Sequence, residues 1–155
     1  MRTRNVVGLA GWLAVSLAAG WIGSMWMPGA WYDGLAKPSF NPPDWIFAPV
    51  WTVLYVLMGL AAWRVWKRSG FRVAGPALAL FVFQLGLNSL WSYLFFGAHR
   101  PGVALQEILL LEAAIVVTML RFRRVDGIAA RLLVPYLLWV GFAAVLNLRI
   151  WQLNP

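Results

Sequence analysis

Residues 31–52 read WYDGLAKPSFNPPDWIFAPVWT and connect two uncharged apolar runs, 6–27 and 45–63. The connector holds Pro38, Pro42, Pro43 and Pro49 together with Trp31, Tyr32, Trp45, Trp51, Phe40 and Phe47. Each proline fixes its own φ and restricts the residue before it, so the segment is stiff without a regular element of its own. A connector this rich in aromatic rings is not expected to lie open to water. It reads as an ordered lid over whatever the flanking runs enclose.

Working outward, the 22 residues of the run 6–27, at about 1.5 Å of rise each, would cross a hydrocarbon core of about 30 Å. The basic start at Arg2 and Arg4 imitates a signal peptide. The run is too long for one, carries Trp12, Trp21 and Trp26, and lacks a convincing A-x-A cleavage site. Ser16, Gly20 and Ser24 repeat every four residues, either a stripe for close helix approach or small residues merely tolerated in an apolar helix.

The whole chain agrees with a membrane setting. Of its 155 residues 62% are hydrophobic and 12% charged, and mean hydropathy is +0.72, so it reads as a single transmembrane domain over 1–155. With no cysteine and one histidine, disulfides, thiol chemistry and His- or Cys-built metal sites have nothing to use, and no metal is expected. The net charge of +8 comes from clusters between apolar runs, which topology and anionic lipid headgroups explain better than nucleic acid does.

Five helices are expected, over about 6–27, 45–66, 75–97, 102–122 and 130–151, with the lid at 28–44. Arg64, Lys67, Arg68 and Arg72, with Gly70, Gly75 and Pro76 as punctuation, separate the second from the third. In the third, Gln84, Asn88, Trp91 and Phe95 share a face that must look into the protein, to line a pocket or to bond a neighbouring helix. In the fourth, Glu107 and Glu112 lie roughly 140° apart around the helix and do not form one site. Glu107, near the surface by position, is expected to be solvated or paired with Arg100; Glu112, nearer the middle, is the more unusual. In the fifth, Tyr136, Trp139, Ala143, Leu146 and Ile150 form one stripe, a pattern that serves helix packing as readily as ligand contact.

Ten of the thirteen Lys and Arg fall at the N-terminus and in the second and fourth loops. In a bacterial cell membrane, the expected setting, the positive-inside rule then puts the N-terminus in the cytoplasm and the lid on the far side.

The segments WYDGLAKPSFNPPDWIFAPVWTVLYVLMGLAAW, FQLGLNSLW with FFG, and LLVPYLLWVGFAAVLN resemble, in composition and order, the tryptophan-rich sensory protein family (TspO/MBR). Its mitochondrial relatives are the translocator proteins, or peripheral-type benzodiazepine receptors. The resemblance implies an all-α integral membrane protein, a five-transmembrane-helix bundle that forms a homodimer. It implies a pocket beneath the first loop for porphyrins, cholesterol-like lipids or benzodiazepine-type ligands. Carried over by motif, the ligand-binding residues are Trp31, Tyr32, Pro42, Phe47, Trp51, Asn88, Trp91, Trp139, Phe142, Ala143 and Leu146. Light- and oxygen-dependent porphyrin breakdown in bacterial relatives would assign Trp51 and Trp139 as its catalytic residues. Two departures stand out. Phe40 occupies a position where many members have tryptophan, and Leu148 stands where the animal sterol motif needs tyrosine.

A receptor or sensor for porphyrin or haem fits best, with stacking rings for the macrocycle and Lys37 either near its carboxylates or solvated. No cofactor is required, tetrapyrrole being the ligand. Membrane lipid is the other expected partner, and nucleic acid is not one. No conventional acid-base or nucleophilic constellation is present, so photo-oxidation is the enzymatic option. A transporter of tetrapyrroles or lipids is the alternative reading, with few charged sites near the midplane to couple transport.

Overall fold

The structure is a computed structural model that describes residues 2–155. Helix α1 spans Arg2–Gly23, and the lid carries a one-turn helix α2 (Ala30–Asp33) and a 3-10 turn at Asp44–Ile46. Helix α3 runs over Phe47–Ser92 into a π-helical turn at Tyr93–Gly97. Helices α4 (Pro101–Val125), α5 (Gly127–Leu132) and α6 (Val134–Leu153) complete the chain. There is no strand among the described residues.

Among the described residues four stretches are long and apolar enough to cross a membrane: Thr3–Gly23, Asp44–Gly97, Pro101–Val125 and Gly127–Leu153. The second has 54 residues, about 80 Å if straight, and must cross twice. It folds back at Gly70, whose φ of 60° and ψ of −178° lie in a region that only glycine enters cheaply. Contacts with α1 establish the reversal. The first arm (47–69) runs against it, with Tyr55 at Gly20, Gly59 at Leu13 and Trp66 at Gly8. The second arm (71–92) runs with it, from Phe71 and Phe81 beside Trp12 to Ser89, whose hydroxyl donates to the Ala19 carbonyl at 2.9 Å. The bundle therefore has five apolar spans.

Several boundaries differ from the sequence reading. The helices expected at 45–66 and 75–97 are continuous up to the Gly70 hinge, and Pro76 is carried inside the second arm, because a single left-handed residue suffices to turn the chain. Helix α1 ends at Gly23 and not at 27, since Trp26 turns away to pack edge-on against Tyr93 at 5.2 Å. The fourth helix reaches Val125, and the fifth begins at Gly127 with a step at Leu133 ahead of Pro135. Asp126 starts α5, its Oδ1 accepting from the backbone N–H groups of Ile128 (2.8 Å) and Ala129 (3.3 Å).

Small residues bring the helices together. A Cβ on Gly59 would lie 2.9 Å from a Leu13 methyl and 3.0 Å from its Cα, so α1 and α3 touch at backbone distance. Helix α6 runs against α4, with Asn147 Nδ2 donating to the Pro101 carbonyl at 2.8 Å and Trp151 packed on Gly102. Met58, Phe81, Phe122 and Tyr136 are wholly buried where these helices meet. At the basic end, buried Asp126 accepts from Arg64 Nη2 at 2.9 Å and Arg68 Nε at 3.0 Å, tying α3 to α5. Burial alone would raise its carboxyl pKa; the two backbone N–H bonds and Arg64 outweigh that and hold it below the ordinary value.

The two glutamates exchange the roles expected of them. Glu107 is neither solvated nor paired with Arg100: it is 8% exposed and both its oxygens lack a hydrogen-bond partner among the described residues. It shares the inward face of α4 with Ala104, Ile108 and Leu111, and that face, not distance along the helix, buries it. Glu112 is only half-buried, beside Gly141.

Candidate functional site

A cavity of about 600 Å³ lies beneath the lid, enclosed by the end of α1, the start of α3, the second arm with its π turn, and α6. Trp51 sits one turn into α3 and stacks on Tyr55 at 5.6 Å, the i, i+4 spacing that aligns rings along a helix face. Phe47 meets Trp139 edge-on at 6.0 Å, joining the first arm to α6. Opposite, Trp91 stacks on Phe95 at 5.1 Å with Phe96 edge-on at 5.7 Å. The π turn, whose Ala98 N–H donates to the Tyr93 carbonyl at 2.7 Å, is what brings Phe95 and Phe96 together on the cavity.

The floor is polar and hydrogen-bonded. Tyr55 donates its hydroxyl to Asn88 Oδ1, Asn88 Nδ2 donates to the Tyr136 hydroxyl at 3.2 Å, and Tyr136 donates to Gln84 Oε1 at 2.7 Å. Buried amides in an apolar bundle need such partners, and the chain links both arms of α3 to α6. Trp91 Nε1 donates to Asn147 Oδ1 at 3.0 Å, so that indole N–H is committed. No hydrogen bond among the described residues uses the indole N–H of Trp51 or Trp139.

The lid is latched at two places. The Ala36 N–H donates to Asn154 Oδ1 at 3.0 Å, and Asn154 Nδ2 returns a bond to the Ala36 carbonyl at 2.9 Å. Trp31 stacks on His99 at 4.3 Å with 11° between planes. Tyr32 points inward and donates to Asn41 Oδ1 at 3.1 Å. Burial is the main reason its phenol pKa is raised, with the nearby Asp44 and Asp33 carboxylates adding to it. Lys37 lies 4.5 Å over the Tyr32 ring, its ammonium donating to the Asp33 and Leu35 carbonyls.

Of the residues singled out in the sequence, Tyr32, Phe47, Trp51, Asn88, Trp91, Trp139, Ala143 and Leu146 line this cavity together. Trp31, Pro42 and Phe142 do not. Trp31 is held behind the wall by His99 and Phe95, and Phe142 supports Phe40 (6.4 Å) and Trp139 (5.6 Å) from outside. The Pro42 carbonyl accepts from Asn41 Nδ2 within the lid at 3.2 Å. Sequence reasoning missed Trp21, Trp26, Tyr55, Phe96 and Asn147, all in the lining. Tyr55 and Asn147 were within reach of the same helical spacing, four residues beyond Trp51 and Ala143. Trp21 and Trp26 were not: Trp21 reaches the cavity through the packing of α1 against α3, and Trp26 through the bend that follows α1.

The comparisons with known proteins agree with this architecture. Residues 12–152 match the model of the TspO/MBR family. The chain is similar to the tryptophan-rich protein TspO of Chlorobaculum tepidum, 46% identical over 98% of this chain and 99% of the relative. It is also similar to the translocator protein of Homo sapiens (42% identical; 92% and 86% covered) and the tryptophan-rich sensory protein of Cereibacter sphaeroides (42%; 92% and 88%).

Proposed function

The chain belongs to the TspO/MBR family of integral, multi-pass membrane proteins, and from that premise we propose that it is a receptor for a flat apolar ligand, a tetrapyrrole of porphyrin or haem type, held beneath the lid. The observation that carries this reading is the cavity itself. About 600 Å³ is in the usual range for small-molecule sites, and Trp51, Trp91, Trp139 and Phe95 supply ring faces on opposite walls. The floor keeps the Tyr55 hydroxyl oxygen as an acceptor and the second Asn88 Nδ2 hydrogen as a donor, and the lid-side rim is polar at Asp33 and Asp44. The N-terminus is cytoplasmic in this reading, and the functional unit is a homodimer.

Holding is favoured over passage. Beneath the hydrogen-bonded floor, Met58 and Phe81 are fully buried, so no path continues toward the basic end. Light- and oxygen-dependent breakdown of bound porphyrin is a secondary property, in which the excited macrocycle activates oxygen, oxygen is the oxidant that opens the ring, and Trp51 and Trp139, whose indole N–H groups have no partner among the described residues, flank the reacting macrocycle.

Protoporphyrin added to purified protein is expected to quench tryptophan fluorescence saturably. Quenching no greater than that of a variant carrying both Trp51→Phe and Trp139→Phe would remove the site. Illumination of the complex separates the secondary property: bleaching no faster than that of free porphyrin leaves binding alone.

A further inference from the structure

The cavity is not closed on all sides, and where it opens decides where its ligand comes from. Over most of their length α1 and the first arm of α3 are in contact: Trp66 packs on Gly8, Leu13 on Gly59 and Tyr55 on Gly20. Above the Gly20–Tyr55 contact the two helices no longer seal. Trp21 and Ser24 on α1 and Ala48 and Thr52 on α3 line the cavity, yet all four are exposed, Trp21 by 66%. A side chain that lines a cavity and faces outward marks its mouth. The mouth is framed below by Tyr55 and above by Pro28 and the lid, and Trp26, pinned against Tyr93 and Gly97, fixes the end of α1 on its far side.

The depth of this mouth is set by the sequence. No charged residue occurs on α1 between Arg4 and its end at Gly23, nor on the first arm before Arg64. Ser24 is 20 residues beyond Arg4, about 30 Å along the helix, so 21–24 and 48–52 lie in the lid-side half of the hydrocarbon layer and its interface. Trp21 suits that boundary, with an apolar ring and one polar atom. The opening continues up to the lid edge, where Met27, Pro28, Asp33 and Asp44 also line the cavity and are exposed, while the Ala36–Asn154 latch and the Trp31–His99 stack hold the lid in place.

We infer that the site is loaded sideways, from the lid-side leaflet, through a portal between α1 and the first arm of α3. The inference rests on the proposed binding site and narrows its ligand to amphiphiles that dissolve in the bilayer. Such a ligand slides in with its apolar body between Trp21 and Thr52 while its polar edge stays at the lid-side interface. The lid is then a latched roof, and the gap between the two helices is the door.

The absence of cysteine makes the portal testable by cross-linking. In proteoliposomes of phosphatidylcholine, the rate of fluorescence quenching by protoporphyrin IX in the unmodified protein is expected to follow its mole fraction in the bilayer, not its aqueous concentration. A cleavable bis-thiosulfonate joining Ser24→Cys to Thr52→Cys is expected to slow loading at least tenfold relative to the same variant before bridging, and reduction to restore it. The same reagent joining Ala36→Cys to Asn154→Cys across the latch is expected to leave its own rate as it was. Slowing by the latch bridge, no slowing by the portal bridge, or a rate that tracks aqueous porphyrin overturns the portal. Absence of any saturable quenching in the unmodified protein instead removes the binding site, and the portal with it.

Discussion

Tyr55 and Asn88 are 33 residues apart in sequence and on opposite arms of α3, and the Tyr55 hydroxyl donates to Asn88 Oδ1 in the floor of the cavity. Both are buried, and Asn88 passes the connection on to Tyr136 of α6. One hydrogen bond therefore fixes both the spacing of the arms and the height of the floor.

Tyr55→Phe removes that donor while keeping the ring that packs on Gly20 and Trp51. Asn88 is left with one acceptor unfilled in an apolar bundle, a loss of about 0.5–2 kcal/mol. A lower thermal midpoint in detergent together with weaker porphyrin quenching is the expected pair of results. An unchanged midpoint would mean that the floor does not hold the arms.

Gly59 and Gly11 make a matched test of helix approach. A side chain on Gly59 meets the Leu13 backbone at 3.0 Å, whereas one on Gly11 meets nothing within 4 Å. Gly59→Val is expected to cost about 2 kcal/mol through overpacking, and Gly11→Ala to be neutral or slightly stabilising. Thermal melts of the two variants in one detergent check the contrast.

Much of the site was legible because its residues sit on regular helices. Asn88 with Trp91 and Trp139 with Ala143 follow helical spacing, so each pair reaches one face whatever the packing details, and the aromatic, proline-rich connector identified itself as the lid. Phe96 escaped because a π turn leaves no mark in a sequence; only the backbone shows that its ring is swung onto Trp91. Glu107 was misjudged because depth was read from its place along α4, while burial follows the face it shares with Ala104 and Ile108. The turn between the second and third spans had three breakers in seven residues, Gly70, Gly75 and Pro76. Composition could not say that only one of them bends the chain.

That last ambiguity yields an experiment with opposite signs. Gly70 has φ of 60° and no close neighbour, so Gly70→Ala should cost about 1–2 kcal/mol from backbone strain alone. Gly75 is helical, also with open space around it, and Gly75→Ala should stabilise by about 0.5–1 kcal/mol. Equal responses in thermal melts would contradict a hinge confined to Gly70.

Asp126 predicts an acid-sensitive basic end. Its carboxyl lies below the ordinary value of 3.8 in the folded protein because Ile128 and Ala129 N–H and Arg64 together outweigh its burial. A group whose pKa falls on folding adds stability that is fully present above its unfolded value and is lost as pH drops through the folded one. Melts should therefore be insensitive to this group from neutral pH down to about 5 and fall steeply below about 4. In Asp126→Asn the amide still offers an oxygen to the α5 cap but no charge to Arg64 and Arg68. That variant should be less stable than the parent at pH 7 by about 1–3 kcal/mol, and the difference should shrink as the parent is acidified. A gap that persists unchanged at low pH would show that the carboxylate charge is not what ties α3 to α5.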